Sequence, residues 1–93
     1  MAKRTDRNQT EIVIALRKAG ASVEFLHTIG RGVPDLLVGH RGCNYVLEVK
    51  DGTQIPSRRR LTNDEAEWHA KWRGSVRIVE SVEQALVVIG ALR

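Results

Sequence analysis

The sequence has little of what anchors or cross-links a small protein. A single cysteine, Cys43, among 93 residues excludes an internal disulfide. His27, His40 and His69 are scattered and give no zinc spacing with it. The longest apolar stretch, Ala85 to Leu92, is interrupted by Gly90 and falls far short of the ~20 residues a membrane span needs. Met1 to Arg7 is polar and basic with no apolar segment behind it, so no signal peptide is expected and the cytoplasm is the default location. Aromatic residues make up only 4% of the chain, so Phe25, Tyr45, Trp68 and Trp72 each count in packing. Acidic residues are the scarcer charge, 11 against 15 lysines and arginines, for a net charge of +4. That balance suits an anionic partner such as a nucleic-acid backbone, although many small basic proteins carry such charge only as a solvated face. What is present, 42% hydrophobic residues, predicts one small domain over 1–93, near the lower size limit for an unaided core. Dimerisation would help it.

The most informative stretch is Val33 to Lys50. Two apolar runs, Val33 to Val38 and Tyr45 to Val49, flank turn residues that include Gly39 and Gly42, the pattern of a β-hairpin. With Arg41 and Gly42 at the tip, His40 pairs with Cys43, Leu37 with Val46 and Asp35 with Glu48. Directly opposed side chains have Cβ atoms roughly 5 Å apart, and the period of two puts Lys50 on the same face. An odd-sized loop would shift the register by one and carry Asp35 to the other face. Two carboxylates this close call for a positive charge between them, and a divalent cation is the usual solution. Magnesium is the natural candidate, with manganese able to substitute. Lys50 beside it would orient or activate a water or bind phosphate. The plainer reading is a solvated sheet face with a surface ion pair worth about 0–1 kcal/mol. Against it, Val33, Leu37 and Val46 lie on the charged side while Leu36, Val38, Tyr45, Leu47 and Val49 supply a full apolar face. That predicts a hairpin buried on both sides.

These residues also resemble a known family. Pro34-Asp35, a spacer of twelve residues and Glu48-Val49-Lys50 are similar to the PD-(D/E)XK nuclease signature. Gly32-Val33-Pro34-Asp35-Leu36, Leu47 to Lys50, Leu61-Thr62, Trp68 and Gly74, in this order, resemble the virus-type replication-repair nuclease (VRR-NUC) domain from about Asn8 to Ser81. The resemblance implies an α/β restriction-endonuclease-like core, a mixed sheet of about four strands flanked by helices. It implies a magnesium-dependent DNA endonuclease in which Asp35, Glu48 and the Val49 carbonyl hold the metal and Lys50 positions the attacking water. A helical glutamate, here Glu11, would be the third carboxylate, binding metal or its water; by itself Glu11 reads as a surface residue. The family usually has Gln where this chain has Glu65, which puts an active-site role for that position in doubt. Stand-alone chains of this kind resemble bacterial and phage members that act as homodimers on branched DNA such as Holliday junctions. That implies the cytoplasm of a bacterium or of a phage-infected host, although larger members of the family act on flaps.

The remaining chain predicts the order α-β-β-β-α-β-α. Ile12, Ala15, Leu16 and Ala19 mark a helix from about Asp6 to Ala19 that stops at Gly20. Ala21 to Thr28 reads as a strand, and Gly30-Arg31-Gly32 as a loop in which Arg31 meets phosphate or only turns the chain. Asp51 to Arg60 is a polar loop leaving directly from Lys50, so Arg58, Arg59 and Arg60 are candidate DNA contacts, with Lys3 and Arg4 at the start of the chain as further ones. Cys43 reads as filler near the hairpin tip. Thr62 to Glu65 is a capping box for a helix to about Trp72, whose Trp68 and Trp72 are expected to pack on the sheet, with His69 and Lys71 solvated or touching DNA. Val76 to Val79 reads as a strand parallel to a hairpin strand, and Ser81 caps a last helix to about Arg93 with Val82, Ala85, Leu86 and Ile89 buried. The alternatives are a nucleic-acid-binding module without catalysis, a nuclease for flaps or plain duplex, a sequence-specific endonuclease, and a plain assembly protein.

Overall fold

In the computed structural model, which describes residues 4–92, the elements follow the predicted order. Helix α1 spans Arg4–Lys18, strand β1 Ser22–Phe25, β2 Leu36–His40 and β3 Cys43–Val49. A short 3-10 turn at Pro56–Arg58 precedes α2 (Asn63–Lys71), β4 (Arg77–Val79) and α3 (Val82–Val88). One four-stranded sheet runs in the order β1-β2-β3-β4, antiparallel up to β3 and parallel between β3 and β4. The crossover through α2 explains the parallel pair, because parallel neighbours need a long connection.

Alternation along the strands sorts the residues between two faces. Val23, Leu36, Val38, Leu47, Val49 and Val79 turn to one side, where Ile12 and Leu16 of α1 and Ala85 and Ile89 of α3 close the core over them. The hairpin tip is fastened to the same layer by His40, whose buried ring lies 2.9 Å through Nδ1 from the Ile89 carbonyl. Helix α2 has no buried residue and lies over the opposite face, where it reaches Glu48. No described helix is long and apolar enough to cross a membrane.

Several local expectations change. The first strand stops at Phe25, because 27–29 form a turn. The last helix ends at Val88. There Gly90 adopts φ +77, its N–H donates to the Val87 carbonyl, and the Ala91 N–H donates to the Leu86 carbonyl. This is a Schellman stop that outweighs the remaining apolar pattern. The tryptophans are not sheet-packed core residues: Trp72 is 47% exposed and stacks on the half-buried Trp68. Cys43 is exposed rather than filling a gap. The hairpin is not buried on both sides along its whole length, since Leu37 near the tip is exposed while Glu48 at the α2 end is 1% exposed.

Candidate active site

The hairpin carries the site, and its turn sets the register. Arg41 and Gly42 both take positive φ, 51 and 81, the two-residue turn that matches strand twist. His40 then pairs with Cys43, Leu37 with Val46 and Leu36 with Leu47. Asp35 lies one residue beyond the last ladder pair, and its N–H donates to the Leu47 carbonyl at 3.1 Å. Where β2 has ended, the Val49 N–H loses its strand partner, and Oδ2 of Asp35 accepts it at 2.7 Å. A buried backbone donor must find an acceptor, so this bond fixes the Asp35 carboxylate against the end of β3. The N–H and C=O of a strand residue leave the same edge of the strand, so the Val49 carbonyl lies on the β2 edge of β3.

Glu48 stands beside Asp35 and hydrogen-bonds to it. Its carboxyl pKa is pushed up to about 9, first by burial, then by the hydrogen bond and the charge of Asp35, with Glu65 adding to the effect and Lys50 opposing it. Burial and Asp35 thus both favour the protonated form of Glu48. On the far side, Nε2 of His69 lies 3.2 Å from Oε1 of Glu48. Burial lowers the His69 pKa; the charge of Glu65 opposes this and that of Lys50 adds to it.

Lys50 completes the group through α2. Its Nζ donates to Oε1 of Glu65 at 2.7 Å. The same oxygen accepts the Thr62 N–H at 2.8 Å, and the Thr62 hydroxyl accepts the Glu65 N–H, closing the predicted capping box. Burial raises the Glu65 pKa, but the hydrogen bonds from Lys50 and Thr62 outweigh it and leave the group lowered. Glu65 therefore both caps α2 and holds Lys50. The helix seats here because Gly32 leaves room: a Cβ on it would run into the Asp64 carbonyl and the Glu65 amide.

The other sequence candidates spread around this centre. Glu11 is exposed on α1 and lines a separate cleft with Arg7, Asn8, Asp51 and Thr53. One turn before it, Asn8 Nδ2 donates to the Lys50 carbonyl at 2.7 Å, tying α1 to the end of β3. Arg58 and Arg60 are exposed, whereas Arg59 turns inward to Glu80 Oε2 at 3.0 Å. Lys3 lies outside the described residues, and Arg4 is described only as the first residue of α1. Arg31 is exposed with φ 57, on the loop whose Gly32 meets α2. His69 is the residue that sequence reasoning missed. The available signal was its place four residues after Glu65, which puts both on one side of a helix.

The carboxyl pair offers only oxygen donors, the kind a hard divalent cation takes. Among the described residues no group of three or more His, Cys, Asp or Glu side chains forms a ready cage. Few protein ligands suit magnesium, which keeps several waters and uses one or two carboxylates.

No family model matches the sequence, and no curated protein does. The fold does match a solved structure described as "VRR_NUC domain", with a TM-score of 0.62 and 33% identity over 96% of this chain and 97% of that one. The mixed four-stranded sheet flanked by three helices is thus a nuclease-domain fold. With that identity over nearly the whole of both chains, the chain belongs to the VRR-NUC family.

Proposed function

We propose that this chain is a metal-dependent phosphodiesterase that cleaves DNA. The observation that carries the reading is the buried Glu48 carboxyl beside the half-buried Asp35, with Lys50 next to them on a VRR-NUC fold. Asp35, Glu48 and the Val49 carbonyl are the groups that would hold magnesium, or manganese in its place. Glu11, outside the carboxyl pair, serves through water. When bound, the cation supplies Lewis-acid chemistry, lowering the pKa of a coordinated water and offsetting charge on the phosphate oxygens.

The chain's own residues do the rest. The Val49 N–H holds Asp35 in a single orientation. The Lys50 ammonium, placed by Glu65, donates to the attacking water or to a non-bridging phosphate oxygen. His69 packs against Glu48 and keeps bulk water from its carboxyl. Arg58 and Arg60, exposed on the loop that leaves Lys50, and Arg31 bind the flanking phosphates; such contacts position the strand without reading its bases. Arg59, committed to Glu80, braces that loop.

Branched DNA is the substrate we favour, cut by a homodimer. The edge strand β4 and α3 expose Ile78 and Val87, 47% and 50% accessible, around a groove that also includes Val88. A second copy seated there would give two sites related by a two-fold axis, suited to paired cuts in a junction. The test is a gel assay with magnesium on a labelled four-way junction and on linear duplex, beside Asp35→Ala. Paired nicks in the junction alone, lost in the variant, are expected. No cleavage with magnesium or manganese, with salt-sensitive binding by both proteins, would leave a DNA-binding module instead.

A further inference from the structure

Helix α2 turns Glu65 and His69 towards the carboxyl pair, and it carries Trp68 on its flank and Trp72, the second tryptophan of the chain, at its C-cap. Trp68 and Trp72 stack with ring centroids 4.6 Å apart and planes 18° from parallel. In a chain with four aromatic residues, leaving Trp68 half-buried and Trp72 47% exposed at the end of a helix with no buried residue forfeits much of the burial that large aromatic rings usually supply. A cleft of about 220 Å³ opens beside the pair, lined by Arg31, Asp64, Glu67, Lys71 and the two tryptophans. It is smaller than the roughly 300–1,000 Å³ typical of drug-sized ligands, which suits one flat ring. The loop that brings Arg31 to it runs through positive φ at Gly30, Arg31 and Gly32, 74, 57 and 80. A non-glycine residue held in that region is the kind of strain that collects at functional sites.

The lining chooses between the parts of a nucleotide. Asp64 and Glu67 repel phosphate, yet as acceptors they suit the amino groups of a base edge, and the Glu67 charge is already met by Lys71 at 2.6 Å. Arg31 is free to reach a phosphate at the mouth. We infer that this cleft is a stacking site for one unpaired nucleobase, next to the phosphate held at the carboxyl pair. The inference rests on the nuclease reading and deepens it: the site recognises a strand whose base is already out of the duplex, as at a branch, flap or frayed end. Bases stack on aromatic side chains with little regard to sequence, and each such contact is worth about 1–3 kcal/mol by alanine substitution.

The test needs no cleavage. Because the chain has only Trp68 and Trp72, intrinsic tryptophan emission reports from this cleft alone. An end-labelled single-stranded oligonucleotide and a matched blunt duplex are titrated into the whole protein in calcium, following emission and label anisotropy together. The single strand is expected to quench emission as anisotropy rises, and the duplex to bind with little quenching. Trp72→Ala should weaken single-strand binding by about tenfold or more and leave duplex binding within twofold, with Trp72→Phe restoring most of the loss. A thermal melt checks that each variant folds. Single-strand binding without quenching, or equal affinity in Trp72→Ala, overturns the inference and leaves the nuclease reading intact. Quenching with no cleavage of any DNA in magnesium or manganese keeps the stacking site and removes the nuclease reading.

Discussion

The two faces of one sheet are built on opposite rules. On the core face, Leu36, Val38, Leu47 and Val79 are wholly buried among apolar residues of α1 and α3, and the buried His40 ring there meets the Ile89 carbonyl. On the other face Glu48 is as buried as those leucines, yet it is a carboxyl pressed against a second carboxyl. Burying such a pair costs free energy, because charges taken out of water must be paired or neutralised. Stability is concentrated on one side of β3 and the chemistry we propose on the other, one residue apart.

The largest expected effect compares those neighbours directly. Leu47→Ala leaves a cavity in the core and should cost about 2–5 kcal/mol, a large share of the 5–15 kcal/mol that holds most domains folded. Glu48→Gln removes the carboxyl that burial and Asp35 resist ionising. The metal-free variant should be more stable than wild type at pH 8, while cleavage falls at least about 10³-fold. Urea melts and a nicking assay on both variants check it. If Glu48→Gln melts as early as Leu47→Ala, the contrast between the faces is wrong.

A pH series sharpens the same contrast. The Glu48 carboxyl titrates near 9 in the folded chain and at its ordinary value of 4.5 when unfolded. Its contribution to stability is therefore full below pH 4.5 and is lost progressively as pH rises towards 9. His69 is lowered on folding, so its opposing contribution is confined to pH values below its ordinary 6.5. Between about pH 6.5 and 9 the metal-free protein should lose on the order of 1 kcal/mol per pH unit, and Glu48→Gln should flatten that slope. Added magnesium should stabilise more as pH rises, because the cation competes with the proton. A melting temperature that is level in wild type over this range would mean that Glu48 is already ionised.

Much of this was legible in the sequence, and the limits have physical reasons. The hairpin register followed from Arg41-Gly42 because side-chain period and turn length leave few choices. Helical spacing placed Ile12 and Leu16 of α1 and Ala85 and Ile89 after Ser81 in the core, but it missed the buried Val13, and Ala19, just past the end of α1, is exposed. Apolar periodicity places Trp68 and Trp72 in the core because it says which residues share a face and not what that face meets. His69 looked solvated for the same reason. The role of Glu65 could not be separated from its capping box, since one oxygen serves Thr62 and Lys50 together. The inward turn of Arg59 to Glu80 joins residues 21 apart, and a local run of arginines gives no sign of such a partner.

The smallest expected effect lies at the hairpin tip, away from both the carboxyl pair and α2. Arg41 sits at φ 51 with Gly42 following at φ 81, a turn whose preferred sequence is Asn-Gly. An L-residue with a Cβ loses roughly 1–2 kcal/mol in the left-handed region, and asparagine loses less because its short polar side chain bonds locally. Arg41→Asn should therefore raise stability by about 0.5–1 kcal/mol, or about 2–8 °C in Tm for a domain of this size, with cleavage rate unchanged. Arg41 is exposed, so no packing is lost. A gain in Tm with an unchanged rate would separate the register of the hairpin, which the turn sets, from the chemistry we propose at its α2 end. A slower rate with a normal melt would mean instead that Arg41 contacts the DNA, and that the substrate runs the whole length of the hairpin.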